Sequence, residues 1–182
     1  MAAEAEYDDE VIGETSIPRL FEASAARHAD REAQWYKGGI YDRSLTPEIL
    51  PAASAGEFES VTYDEMRGIV RSLAAGFRAL GVEADARVGV FSDTRMEWAH
   101  ADLALLSAGG IVTTVYTESS PDQVRYLLDD PQAEGVVVEN EELLERVRAV
   151  EDDLDLGFVV VMDEFDRPED RENVYSLAEV HE

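Results

Sequence analysis

From Thr62 onward, apolar and polar residues follow two alternating periods, one helical and one strand-like. Met66, Ile69, Val70, Leu73, Ala74, Phe77 and Leu80 recur at intervals that place them on one stripe of a helix. Thr62 and Glu65 precede that stripe in a T-x-x-E arrangement, in which hydroxyl and carboxylate satisfy two free backbone N–H groups. Gly81 stops it. Four short apolar runs follow: Val88–Phe91, Ile111–Val115, Gly135–Val138 and Phe158–Met162, with starts 23, 24 and 23 residues apart. Each interval holds one helical pattern. Thr94 and Glu97 predict a second capping box before a helix over Trp98–Ala108. Ser120, Pro121 and Gln123 start a third helix, with Val124, Leu127 and Leu128 on one face. Asn140 caps a fourth, with acids in its first turn and Arg146 and Arg148 nearer its end, as the helix dipole favours. Asp163 to Asn173 reads as an acidic loop, and Ser176 with Glu179 opens one more capping box.

Short apolar strands alternating with helices predict an α/β fold. The expected architecture is a doubly wound, mainly parallel sheet with helices on both faces, joined by right-handed crossovers. Before Thr62 the signals are weaker. Ser16 and Pro18 mark a helix start running to about His28, and Glu32–Lys37 and Phe58–Thr62 read as paired strands. Between them, residues 38–59 form a long loop rich in glycine, proline and serine. Residues 1–14 are acidic and aperiodic, the expectation for a mobile tail. Residues 15–182 are then expected to form one partial α/β domain.

Charge changes this picture more than composition does. The chain carries 41 acidic and 15 basic residues, a net charge of −26, and its one lysine is Lys37. Such a field repels nucleic acid and anionic membranes, so neither is an expected partner. The acids are interleaved with apolar periodic segments, so they read as a folded, heavily charged surface. Dispersed acid with almost no lysine resembles proteins of salt-loving cytoplasms, which predicts a halophilic protein that needs molar salt to fold. No apolar stretch approaches the ~18 residues of a membrane span. No basic-then-apolar segment opens the chain as a signal peptide would. A cytoplasmic location is expected. With no cysteine, disulfides and thiolate chemistry are excluded.

The search for chemistry returns mostly absences. There is no G-x-x-x-x-G-K-[ST], no G-x-G-x-x-G after a strand, and no G-x-S-x-G. Gly109 and Gly110 precede a strand and read as a helix stop and tight turn. Asp93, Glu97 and His100 have metal-like spacing on a helix face, but Asp93 and Glu97 read better as cap residues, so no metal site is assigned. His28 and His181 stand alone. Lys37, beside a glycine pair, reads as a solvated surface residue. Trp98, Tyr63 and Phe77 lie in helical stripes and read as core. Ligands of open parallel sheets bind beyond the carboxyl ends of strands. That rule selects Ser92, Asp93, Arg95, Tyr116 and Thr117 as crevice candidates, whose plainer role is capping and connection.

Three short segments in order carry a family likeness. VTYDEM (61–66) resembles the first core motif of adenylate-forming enzymes, and LSAGGIVTTVY (106–116) resembles the second. Between them SDTRMEW (92–98) is similar to the N-R-x-E-W turn of long-chain fatty acyl-CoA ligases. Asp93 stands where asparagine is usual, and Thr114 where many relatives have proline. Residues 121–128 and 135–139 match the helix and strand that come next. The resemblance implies a two-step reaction in which ATP and a fatty acid give an acyl adenylate and pyrophosphate, and CoA then takes the acyl group. It implies ATP, Mg²⁺ and CoA for the full-length family. The phosphate-binding loop ending P-K-G, the ribose-binding acid and the catalytic lysine of that family have no counterpart among these residues. No catalytic residue is carried over.

The expectation is therefore an N-terminal fragment of such a ligase, inactive alone, that pairs with the remainder of the enzyme or with itself. Two other readings stay open: a non-catalytic interaction or regulatory module or split subunit, and an unrelated nucleotide-binding α/β domain. A partner at fixed stoichiometry favours the first, and a melting temperature raised by nucleotide favours the second.

Overall fold

The computed structural model describes residues 16–45, 49–167 and 172–182; the expected tail at 1–14 lies outside them. The chain enters through α1 (Ile17–Arg27), with proline in its first turn, and a two-stranded antiparallel ribbon, β1 (Glu32–Lys37) and β2 (Phe58–Thr62). Tyr36 and Val61 point from the ribbon into the core. Trp35 and Phe58 stay exposed on its other side, and Lys37 Nζ lies 5.7 Å from the Phe58 ring centre.

Then α2 (Tyr63–Ala79) begins at the Thr62–Glu65 capping box and buries Met66, Ile69, Val70, Leu73, Ala74 and Phe77, the stripe read from the sequence. The main sheet follows: β3 (Arg87–Phe91), β4 (Ile111–Val115), β5 (Gly135–Val138) and β6 (Phe158–Val161), all parallel. Between them run α3 (Met96–Ala108), α4 (Pro121–Asp129) and α5 (Glu141–Arg148). A fifth strand, β7 (Val174–Ser176), which the sequence pattern did not reveal, pairs parallel with β6 and leads through the Ser176–Glu179 capping box into α6 (Leu177–His181). Three residues are too few to display a period.

The sheet order is β4-β3-β5-β6-β7. From β3 the chain steps one way to β4, then crosses to β5 on the other side. Right-handed crossovers in opposite directions place helices on opposite faces. One core forms where α2, α3 and α6 cover β3, β5 and β6 through Leu73, Phe77, Leu105, Val88, Val90 and Leu177. The other forms under α4 and α5, from Val124, Leu128, Leu144, Val136 and Val138. β5 and β6 are buried on both faces, which explains their unbroken valine runs.

Two glycines serve geometry. A Cβ on Gly76 would lie 1.7 Å from the Val180 carbonyl oxygen, so α6 seats this close to α2 because the residue there is glycine. Gly109 ends α3 at φ 103°, a left-handed conformation that side chains resist.

One expectation gains detail and one changes. The long loop read at 38–59 is not slack where it is described, at 38–45 and 49–59. Leu45 and Leu50 are fully buried, Ser44 donates from N and Oγ to the Met162 carbonyl, and bridges pair Gly38 with Ala55 and Arg43 with Asp163. The segment straps across the carboxyl ends of the sheet, and its last two residues already belong to β2. Nor do Thr94 and Glu97 form a capping box. The N-cap of α3 is Arg95, without a side-chain cap bond, because Glu97 is turned inward to two arginines.

Candidate functional site

The strand order reverses between β3 and β5, where an open α/β sheet leaves its crevice. Here the chain closes that gap itself. Glu139, the first residue after β5, accepts at Oε2 from Ser92 Oγ (3.0 Å) and from the backbone N–H of Asp93 (2.8 Å), the first residues after β3. Asp93 reaches the other way, accepting from Thr117 Oγ1 at 2.6 Å beyond the end of β4. Arg146 of α5 donates to the Thr117 carbonyl at 2.6 Å. Three strand ends are thus tied by side chains that none of the strands could supply alone.

An open crevice remains between the ends of β3 and β4. It measures about 390 Å³ and is lined by Ser92, Asp93, Thr94, Trp98, Thr114, Tyr116, Thr117 and Glu118. Four candidates from the sequence, Ser92, Asp93, Tyr116 and Thr117, meet there. Tyr116 is 73% exposed. Trp98 lies with one part against the core and another on the crevice. The two formal charges on its wall are the carboxylates of Asp93 and Glu118, which repel an anionic group.

Arg95 does not line this crevice. Its side chain is fully buried, with Nε 2.8 Å from Glu97 Oε2 and Nη1 2.8 Å from Asp163 Oδ1. Arg43, from the strap, places Nε 2.5 Å from Glu97 Oε1. Tyr41 lies under both guanidiniums, at 4.0 Å from Arg95 and 5.2 Å from Arg43. Burial pushes the Glu97 carboxyl up, but the Arg95 hydrogen bond and the charges of Arg95 and Arg43 outweigh it and hold it below the usual range. Burial dominates at Asp163, which is raised despite Arg95 and with the help of the negative Glu139 and Glu97. Two cations and two anions here compensate one another, so the cluster latches the strap to the sheet and has no free charge for substrate.

His100, on the next turn of α3, is fully buried, and Nε2–H donates to Gln34 Oε1 of β1 at 2.7 Å. Burial pushes its ring down to about 4, so it is neutral. The metal-like trio is therefore dispersed onto separate partners: Asp93 to Thr117, Glu97 to the arginines, His100 to Gln34. Among the described residues no group of three or more histidine or carboxylate side chains is placed to hold a metal ion, and no helix is long and apolar enough to cross a membrane. Phe77 is core, as expected, and Tyr63 packs beside the His28 ring at 6.2 Å.

Sequence reasoning missed Arg43, Tyr41, Glu139, Arg146 and Asp163.

Comparison with known proteins places this geometry. The profile of the family described as "AMP-binding enzyme" matches residues 21–181. The long-chain-fatty-acid–CoA ligase ACSBG1 of Rattus norvegicus is 32% identical over 126 residues, covering 69% of this chain and 18% of the relative. FadD15 of Mycobacterium tuberculosis, also named a long-chain-fatty-acid–CoA ligase, is 42% identical over 78 residues, 43% of this chain and 13% of the relative. Among solved structures, a long-chain-fatty-acid–CoA ligase (FadD1) from Archaeoglobus fulgidus superposes with a TM-score of 0.72 at 20% identity, over 92% of this chain and 29% of that one. The chain spans less than a fifth of the length of the curated relatives described.

Proposed function

On the premise that this chain belongs to the AMP-binding enzyme family, we propose that it serves a long-chain fatty acid–CoA ligase as a scaffold portion. The activity of the whole would be ATP + fatty acid + CoA to acyl-CoA + AMP + pyrophosphate. The observation that carries the reading is the similarity to long-chain-fatty-acid–CoA ligases across 69% of the chain. It includes no residue that would do the chemistry.

The residues present do not fit the polyphosphate of ATP. A phosphate site needs converging N–H donors or cations. The strand-end crevice offers Asp93 and Glu118, and the nearby guanidinium of Arg95 is committed to Glu97 and Asp163. We derive no adenylation step through this site. Its chemistry suits a supporting role: the Glu139 and Arg95 contacts hold three strand ends and a strap in one rigid arrangement, against which further parts of a ligase can be ordered.

Carboxylate-dependent ATP–pyrophosphate exchange tests the proposal. The chain alone is expected to show none, and to restore exchange when added to a ligase of this family lacking the matching residues. Exchange by the chain alone, or no restoration with a demonstrably folded chain, overturns it. A cytoplasmic, halophilic setting accords with the same reading through the acidic, lysine-poor surface.

A further inference from the structure

The edge of the main sheet at β4 is unusual for this chain. β4 pairs with β3 alone among the described residues, in unbroken register from Arg87–Ile111 to Phe91–Val115. Ile111 N–H donates inward, to the Ala86 carbonyl at 2.8 Å. In a parallel ladder alternate residues face the same neighbour, so Thr113 and Val115 also turn their backbone groups inward. Val112 and Thr114 turn theirs outward, with no strand opposite among the described residues.

Natural edges are usually blunted by lysine, proline, a bulge or a covering element. Among the described residues β4 has none of these. Its five residues, IVTTV, are all β-branched, the side-chain class that best fits a pleated surface. Charge distinguishes the site further. Residues 103–117 form the longest uncharged run in a chain that is 31% charged with a net charge of −26. Carboxylates brought into direct contact cost energy even in salt, and none lies within this run.

We infer that β4 is a self-association edge, where a second copy of this chain adds its own β4 antiparallel about a two-fold axis at Thr113. The register follows from the backbone directions. Val112 faces Thr114 of the second copy, and Thr114 faces its Val112, each pair exchanging both N–H···O=C bonds. Thr113 faces its own copy in the closely spaced, non-hydrogen-bonded position. The contact is isologous, so it closes at a dimer and joins two sheets into one.

Sedimentation velocity of the chain in molar KCl, over a dilution series, tests this. Wild type is expected at twice the monomer mass, dissociating on dilution. Thr114→Pro removes an outward N–H and leaves the β3–β4 ladder untouched; it is expected to be monomeric with an unchanged circular dichroism spectrum. Thr113→Glu places like charges opposite each other and is expected to be monomeric, and mixing it with Thr113→Arg is expected to restore a dimer. A wild-type monomer throughout, a dimer indifferent to both substitutions, or open-ended assemblies in place of a dimer would each overturn the inference. If Thr114→Pro does not fold, the outcome rests on the Thr113 pair.

Discussion

Arg95 Nε and Glu97 Oε2 lie 2.8 Å apart at the start of α3, and neither side chain touches solvent. The pair is two residues apart in sequence, a spacing that does not face on a helix. It forms because Arg95 is still in extended backbone, φ −145° and ψ 170°, just outside the first turn. Glu97 thereby joins Arg43 and Arg95, and loses the capping role its position suggested.

Removing that carboxylate takes one ionic partner from each of two buried cations. Glu97→Gln keeps the shape and removes the charge, and should cost about 3–5 kcal/mol, the usual penalty for breaking a buried pair from one side. Glu142→Gln removes an exposed partner of Arg146 and should cost no more than about 1 kcal/mol. Urea unfolding of both variants in molar salt measures the contrast. Equal costs would mean that the buried cluster does not hold the strap.

Capping gives a second contrast. Thr62→Ala removes a hydroxyl that accepts from Glu65 N–H, and should destabilise by about 1 kcal/mol. Thr94→Ala, at the same place in an identical sequence signature, should stay within about 0.5 kcal/mol, because α3 makes no side-chain cap. Thermal unfolding of the two variants distinguishes a real box from an apparent one.

His100 makes the fold acid-sensitive. Its unfolded value is 6.5 and burial lowers the folded value to about 4. The folded state therefore disfavours the proton. The stability contribution is fully present above 6.5 and is lost as pH falls through the window to about 4. A difference of that size corresponds to about 3 kcal/mol. Glu97, held low, adds loss at still lower pH, while Asp163, held high, acts in the opposite sense. The slope of unfolding free energy against pH should flatten between 6.5 and 4 in His100→Met. An unchanged slope would mean that the ring is already charged when folded.

Salt dependence follows from the net charge of −26. The screening length falls to about 3 Å at 1 M, so repulsion between surface charges farther apart than that should vanish there. Far-ultraviolet circular dichroism is expected to show native signal in molar KCl and its loss in dilute buffer. A full native signal without salt contradicts the halophilic reading.

The parallel strands, the capping boxes at Thr62, Ser120 and Ser176, and the cap at Asn140 were legible because each depends on residues within a few positions of one another. A box is a matter of three-residue spacing, and a doubly buried strand declares itself as a run of valines. The same local logic failed at Thr94 and Glu97, where the competing partner, Arg43, lies more than fifty residues away in the chain.

The sequence by itself determined the alternation of strands and helices, the faces they bury, and the likeness to ligases through short ordered motifs. Only the tertiary structure decided that β3 and β5 are neighbours, that Glu139 closes the gap between them, and that Arg43, Arg95, Glu97 and Asp163 share one buried cluster. It also decided that, among the described residues, β4 pairs on one side only. The physical reason is range. Helix and strand periods express burial of nearby side chains, whereas a charge in a low-dielectric interior takes whatever opposite charge the crossovers bring to it, and sequence distance does not enter that energy.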